Sequence, residues 1–62
     1  MNLKSKRKSA HLTQAKLAKK AGVSLLTIGR YERGERVPNV EVARKLAAAL
    51  GCTIDELVKS DT

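Results

Sequence analysis

Phenylalanine and tryptophan are absent from this 62-residue chain, and Tyr31 is its single aromatic residue. The core must therefore be small and aliphatic, and the stacking platforms that single-stranded RNA binders use are missing. Cysteine occurs once, as Cys52, which excludes an internal disulfide. Histidine also occurs once, as His11, so the paired ligands of a zinc site are lacking and no metal or cofactor is expected. Cys52 reads as a small hydrophobe at a helix junction, and His11 as a corner residue. There is no HExxH, no phosphate-cradling glycine loop and no Cys–His pair at helical spacing, so the chain does not read as an enzyme. No run approaches the roughly 18 apolar residues of a membrane span, and no apolar segment follows the basic start as in a signal peptide. The expected location is the cytoplasm. A chain this short encloses one core, giving a single domain over residues 1–62 with the core at about 3–58. Folding buries roughly 60% of its extended surface, too little for an effector pocket, and no small-molecule ligand is expected.

Acids are scarce where bases are dense. Residues 1–20 carry Lys4, Lys6, Arg7, Lys8, Lys16, Lys19 and Lys20 with no Asp or Glu. Residues 39–62 set Arg44, Lys45 and Lys59 against Glu41, Asp55, Glu56 and Asp61. The net charge of +7 is thus concentrated in one part of the chain, an electrostatic footprint suited to a polyanion.

The apolar pattern predicts five helices and no strand. Leu3, Arg7 and Ala10 recur at helical spacing in the first, with a charge at an inward position. Thr13 caps a second helix, Gln14 to Ala21, whose apolar face is Leu17, Ala18 and Ala21, and Gly22 ends it. Ser24 caps a third from Leu25 to Arg33, with Ile28 and Tyr31 on one side, and Gly34 stops it. Pro38 keeps the following connector out of helix. Asn39 caps a fourth helix with Glu41 in its first turn and a stripe of Val40, Ala43, Leu46, Ala47 and Leu50, closed by Gly51. Thr53 and Glu56 have capping-box spacing and open a short fifth helix with Ile54, Leu57 and Val58 inward. The terminal Ser60-Asp61-Thr62 is expected to fray.

Between Leu17 and Gly34 the order of residues meets the demands of a helix-turn-helix. Ala18 is small enough to face a partner helix, Gly22 makes the turn, Val23 plugs it, Ser24 caps and Ile28 anchors the second helix. Such a second helix fits the major groove of B-DNA, about 12 Å wide.

The chain resembles the phage repressor and Cro-like helix-turn-helix family, whose members are compact bacterial and phage transcriptional regulators. The matching residues are Leu12-Thr13-Gln14, Leu17-Ala18, Gly22-Val23-Ser24, Thr27-Ile28, Arg30-Tyr31-Glu32-Arg33-Gly34, Pro38, and Leu46-Ala47 with Leu50-Gly51. The resemblance implies an all-α, five-helix, lambda repressor-like domain that binds operator DNA, usually as a dimer on paired half-sites. It also implies that Gln14, beside Thr13 at the start of the second helix, holds a phosphate, and that Arg7 and Glu32 form an ion pair between the first and third helices.

The remaining roles follow from position and chemistry. Leu25, Leu26, Thr27 and Arg30 occupy the outward, N-terminal part of the third helix and are the base-reading candidates. Arg30 can take guanine O6 and N7, Thr27 can donate or accept, and the two leucines can touch only thymine methyl groups. Polar residues are frequent at the two leucine positions in the resembling family, and Gly29 inside this helix is a second departure. Thr13, Arg33, Arg36 and Lys6 are phosphate candidates, while Lys16, Lys19 and Lys20 supply a diffuse field. Specific recognition by so small a unit calls for a homodimer, and the Gly51–Val58 segment with Ile54 and Leu57 is the candidate interface. The simplest regulator of this kind is a repressor acting by occupying its operator. A second reading remains: an antitoxin-like or regulatory subunit whose exposed leucines engage a protein.

Overall fold

The computed structural model describes residues 1–58, so the fraying expected at Ser60–Thr62 lies outside the described residues. Five helices follow in order: α1 (Leu3–Ser9), α2 (Gln14–Ala21), α3 (Leu25–Glu32), α4 (Val40–Leu50) and α5 (Ile54–Val58). Four of the five, α2 to α5, start on side-chain caps at the anticipated places, whereas α1 has none. Thr13 Oγ1 accepts from the Lys16 N–H, Ser24 Oγ from Thr27 N–H and Asn39 Oδ1 from Val42 N–H. At α5 the box is complete, because Thr53 Oγ1 accepts from Glu56 N–H while Glu56 Oε1 accepts from Thr53 N–H.

Each helix sends one large side chain fully into the centre: Leu3, Leu17, Ile28, Leu46 and Leu57. Ala18, Ala21, Ala43, Ala47 and Ala49 are buried between them, and their size lets the short helices approach closely. Helix α2 packs on both α3 and α4; α1 lies against α3 and α5, and α4 also contacts α5. The amino-terminal end is tied to the last helix by a bond from Asn2 N–H to the Leu57 carbonyl at 3.1 Å.

Several expectations from periodicity are corrected. Ala10 is exposed, because α1 stops at Ser9 and Ala10 is its C-cap. Val40 is also exposed, and Val42 is half-buried in its stead. The buried stripe of α4 is rotated towards Val42 and Ala49, leaving Val40 at its edge in the first turn. Val58 is exposed, standing one residue around the helix from Leu57. Leu57 itself is completely buried against the other helices and so cannot serve as an interface residue; of the expected pair, only the half-buried Ile54 reaches the surface. Helix α3 ends at Glu32, one residue before the predicted end, with Arg33 as its C-cap. Cys52 packs half-buried against the core, as its role of small hydrophobe requires, and burial pushes its thiol pKa up.

The two turns flanking α2 are made differently. Gly22 occupies the left-handed region at φ 72° and ends α2 without steric cost. Between α1 and α2 the same region is taken by His11 at φ 59°, the one non-glycine residue there among the described residues. A Cβ at such a position is disfavoured, and the imidazole is exposed, so little burial is lost on its removal. His11→Gly should therefore stabilise the fold by about 1 kcal/mol, raising the melting temperature by roughly 4–8 °C in a thermal denaturation of the two proteins.

Candidate nucleic-acid interface

Residues of α1, α2 and α3 that are far apart in sequence converge on one carboxylate, that of Glu32. Arg7 Nε donates to Glu32 Oε2 at 2.6 Å and Nη2 to Oε1 at 3.1 Å, a two-pronged pair of the kind guanidinium geometry favours. Gln14 Nε2 donates to the same Oε1 at 3.1 Å. The third arm of the guanidinium, Nη1, donates to the Leu12 carbonyl at 2.8 Å in the α1–α2 connection. Only 11% of the Arg7 side chain and 4% of that of Glu32 remain exposed. Burial alone would raise the Glu32 pKa, but the hydrogen bonds from Arg7 and Gln14 outweigh it and hold the carboxyl below its ordinary value. Arg7 is shifted upward, mainly by its hydrogen bond to Glu32. The ion pair implied by the resemblance is present, and it fixes α3 against α1 and the start of α2.

With its inner side fixed by Ile28 and Glu32, α3 turns a defined face outward. Leu26, Arg30 and Arg33 follow one another at i, i+4 and i+7 along that face. Leu25 and Leu26 are 52% and 62% exposed. Thr27 is half-buried at the edge, its hydroxyl accepting from Ser24 Oγ at 2.7 Å, which leaves its own proton free for an outside acceptor. Arg30 is half-buried, and Arg36 is exposed in the connector after α3.

The other expected phosphate ligands are distributed less simply. Gln14 stands at the start of α2, where first-turn N–H groups lack intrahelical carbonyls, but one arm of its amide is engaged by Glu32. Thr13 Oγ1 is occupied as the α2 cap. Lys6 is placed at the α1–α5 junction, its Nζ 3.6 Å from Glu56 Oε2, and is not brought together with the α3 face. Arg33 carries a partner that its position in the helix pattern does not point to. Its Nε donates to Glu35 Oε2 at 2.6 Å and Nη2 to Oε1 at 3.3 Å. The signal for it is the Arg-Gly-Glu run just past a helix end, where a left-handed glycine folds neighbours together. Among the described residues, no group of three or more His, Cys, Asp or Glu side chains is arranged to hold a metal ion. No helix among them is long and apolar enough to cross a membrane.

A family model described as helix-turn-helix matches residues 3–57, the whole of this frame up to Leu57. The chain belongs to the helix-turn-helix family of phage repressor and Cro-like proteins. It is 44% identical over 55 residues to the cryptic phage CTXphi transcriptional repressor RstR of Vibrio cholerae, covering 89% of this chain and 49% of that protein. It is 41% identical over 59 residues to repressor protein C2 of Salmonella phage P22, covering 95% of this chain and 27% of the repressor. An uncharacterised HTH-type transcriptional regulator of Methanocaldococcus jannaschii is 42% identical over 55 residues, covering 89% of this chain and 83% of that protein. The chain spans about half or less of the length of the two phage repressors. The helix-turn-helix fold and the named relatives point to DNA binding in regulation as the function to be considered for this domain.

The buried ion pair makes two measurable demands. Glu32→Ala strands Arg7 in a nearly buried position and should cost about 3–5 kcal/mol in urea denaturation, against less than about 1 kcal/mol for a surface charge. Because the folded pKa of Glu32 is depressed below 4.5, its contribution is present above that pH and is lost as pH falls through the folded value. Stability should therefore fall more steeply below pH 4.5 in the wild type than in Glu32→Gln, when both are followed by denaturation across an acid series.

Proposed function

We propose that this domain is a sequence-specific reader of double-stranded DNA that represses transcription by occupying an operator, with α3 in the major groove. The outward face of α3, bearing Leu26, Arg30 and Arg33 on a helix clamped from behind by the Arg7–Glu32–Gln14 cluster, carries this reading. A helix held so firmly on one side presents its other side without the entropy loss of ordering it at the moment of binding. The sequence similarity to two named repressors supports repression as the mode of action. Such a protein works where the DNA is, in the cytoplasm.

Base reading is assigned to Arg30 and Thr27 by hydrogen bonds and to Leu25 and Leu26 by contact with thymine methyl groups. Phosphate contact is assigned to Arg33 and Arg36, and to Gln14 through its free amide proton and the first-turn N–H groups of α2. Lys6 is left with a structural role between α1 and α5. One helix reads only one half-site, so specificity calls for two copies on the operator. The exposed parts of the Gly51–Val58 segment, Ile54 and Val58, are the surface assigned to their contact.

The exposure of Leu25 and Leu26 also favours a second reading, in which this face binds a protein. Selection from random duplexes, followed by titration of the winner and a scrambled duplex over a salt series, separates the two. A winning sequence bound more tightly than its scramble is expected; equal affinity for both would remove the sequence-specific reader. On the winner, Arg30→Ala should cost about 1–3 kcal/mol and relax the preference at one base pair. Arg33→Ala should instead weaken both duplexes alike and lower the salt slope by up to about one unit.

A further inference from the structure

The left-handed turn at Gly34, φ 76°, folds Glu35 back onto Arg33 at the end of α3. Two N–H groups along one edge of the guanidinium, on Nε and Nη2, are taken by the two carboxylate oxygens. The end of the same group lies over Gly29, one turn earlier in α3. A Cβ at Gly29 would stand 3.0 Å from Nη1, 3.8 Å from Cζ and 3.9 Å from Nη2. Arg33 thus lies close over the helix at a place where a side chain at position 29 would make it shift by a few tenths of an ångström. The edge closed by Glu35 is one that can grip two phosphate oxygens, since carboxylate and phosphate fit the guanidinium fork alike, and Nη1 and Nη2 of the other edge lie towards Gly29.

We propose that Glu35 is a gate on the phosphate contact: it holds Arg33 over Gly29 in the free protein and surrenders it only when a duplex docks closely on α3. The proposal rests on the reading of α3 as a DNA-binding helix. Both side chains are about half exposed, so water already screens their attraction and a phosphate can displace the carboxylate. Until that exchange occurs, the pair is neutral and Arg33 offers the phosphates no net positive charge. The effect is that any duplex gripping Arg33 must first displace Glu35, a cost that the selected sequence and its scramble share. Glu35 acts through Arg33 and is a positioning residue; it does not read bases.

The test is a double-mutant cycle in the full 62-residue chain. The wild type, Glu35→Gln, Arg33→Gln and the double variant are titrated against the selected duplex and its scramble across a salt series. Glu35→Gln is expected to tighten binding to both duplexes about two- to fivefold and to steepen the salt slope by up to about one unit. In the Arg33→Gln background the same change should have little effect on either quantity. Equal tightening in both backgrounds would overturn the gate, leaving Glu35 as a general repulsive charge while DNA binding stands. An Arg33→Gln variant that binds like the wild type would overturn it by removing Arg33 from the contact. If the wild type selects no duplex at all, it is the DNA-binding reading that fails, and that outcome is visible before any variant is made. Because the pair is exposed, the melting temperatures of Glu35→Gln and the wild type should coincide, so that a change in affinity is not a change in folding.

Discussion

The carboxylate of Glu32 is the interaction on which the rest of this small structure depends. Apolar burial alone leaves a helix such as α3 free to slide or roll, since an aliphatic core is tolerant of direction. A fixed carboxylate accepting from Arg7 in α1 and Gln14 in α2 removes that freedom. It does so with directional bonds, at a site where leaving any one of them unmade is costly. The guanidinium also holds the Leu12 carbonyl, so the connection leading into α2 is fixed by the same group. The orientation of α3 is in this way set from its inner side, away from its exposed residues Leu26 and Arg33.

The division of charge follows from the same arrangement. The only acid in residues 1–34 is consumed internally by Arg7 and Gln14, so it does not dilute the basic surface. The depressed pKa of Glu32 keeps it ionised, and therefore keeps the clamp closed, over the whole neutral range. Glu35, the next acid along, is exposed and touches the surface cation Arg33. Two acids three residues apart thus have opposite consequences, one for the architecture and one for the electrostatics of the outer face.

Much of this is legible in the residues alone. Thr13, Ser24, Asn39 and Thr53 announce the starts of four helices because capping is local chemistry, settled within one turn. Leu17, Ile28 and Leu46 announce the core through their spacing. Periodicity gives the direction of a face and not its width, which is why Val40, Val58 and Ala10 read as inward and lie outside. Leu57 fails as an interface residue for a different reason: α1 returns to cover it, a contact between the two ends of the fold that local pattern does not contain. The same holds for Gln14, whose partner Glu32 lies eighteen positions away and is met only through the packing of α2 on α3. Of the site, the outward positions of α3 follow from helix geometry, whereas the state of Arg33 depends on a turn that brings Glu35 back across Gly34.

The single buried anchor contributed by each helix has a further consequence for how such a domain can change. Helix α3 is committed to the frame through Ile28 and Glu32, with Tyr31 packed at the margin. Its positions 25, 26, 30 and 33 carry no structural duty of comparable weight. The fold and the outer face are therefore written on separate letters of the same short word. A lineage can rewrite that face without renegotiating the frame that displays it.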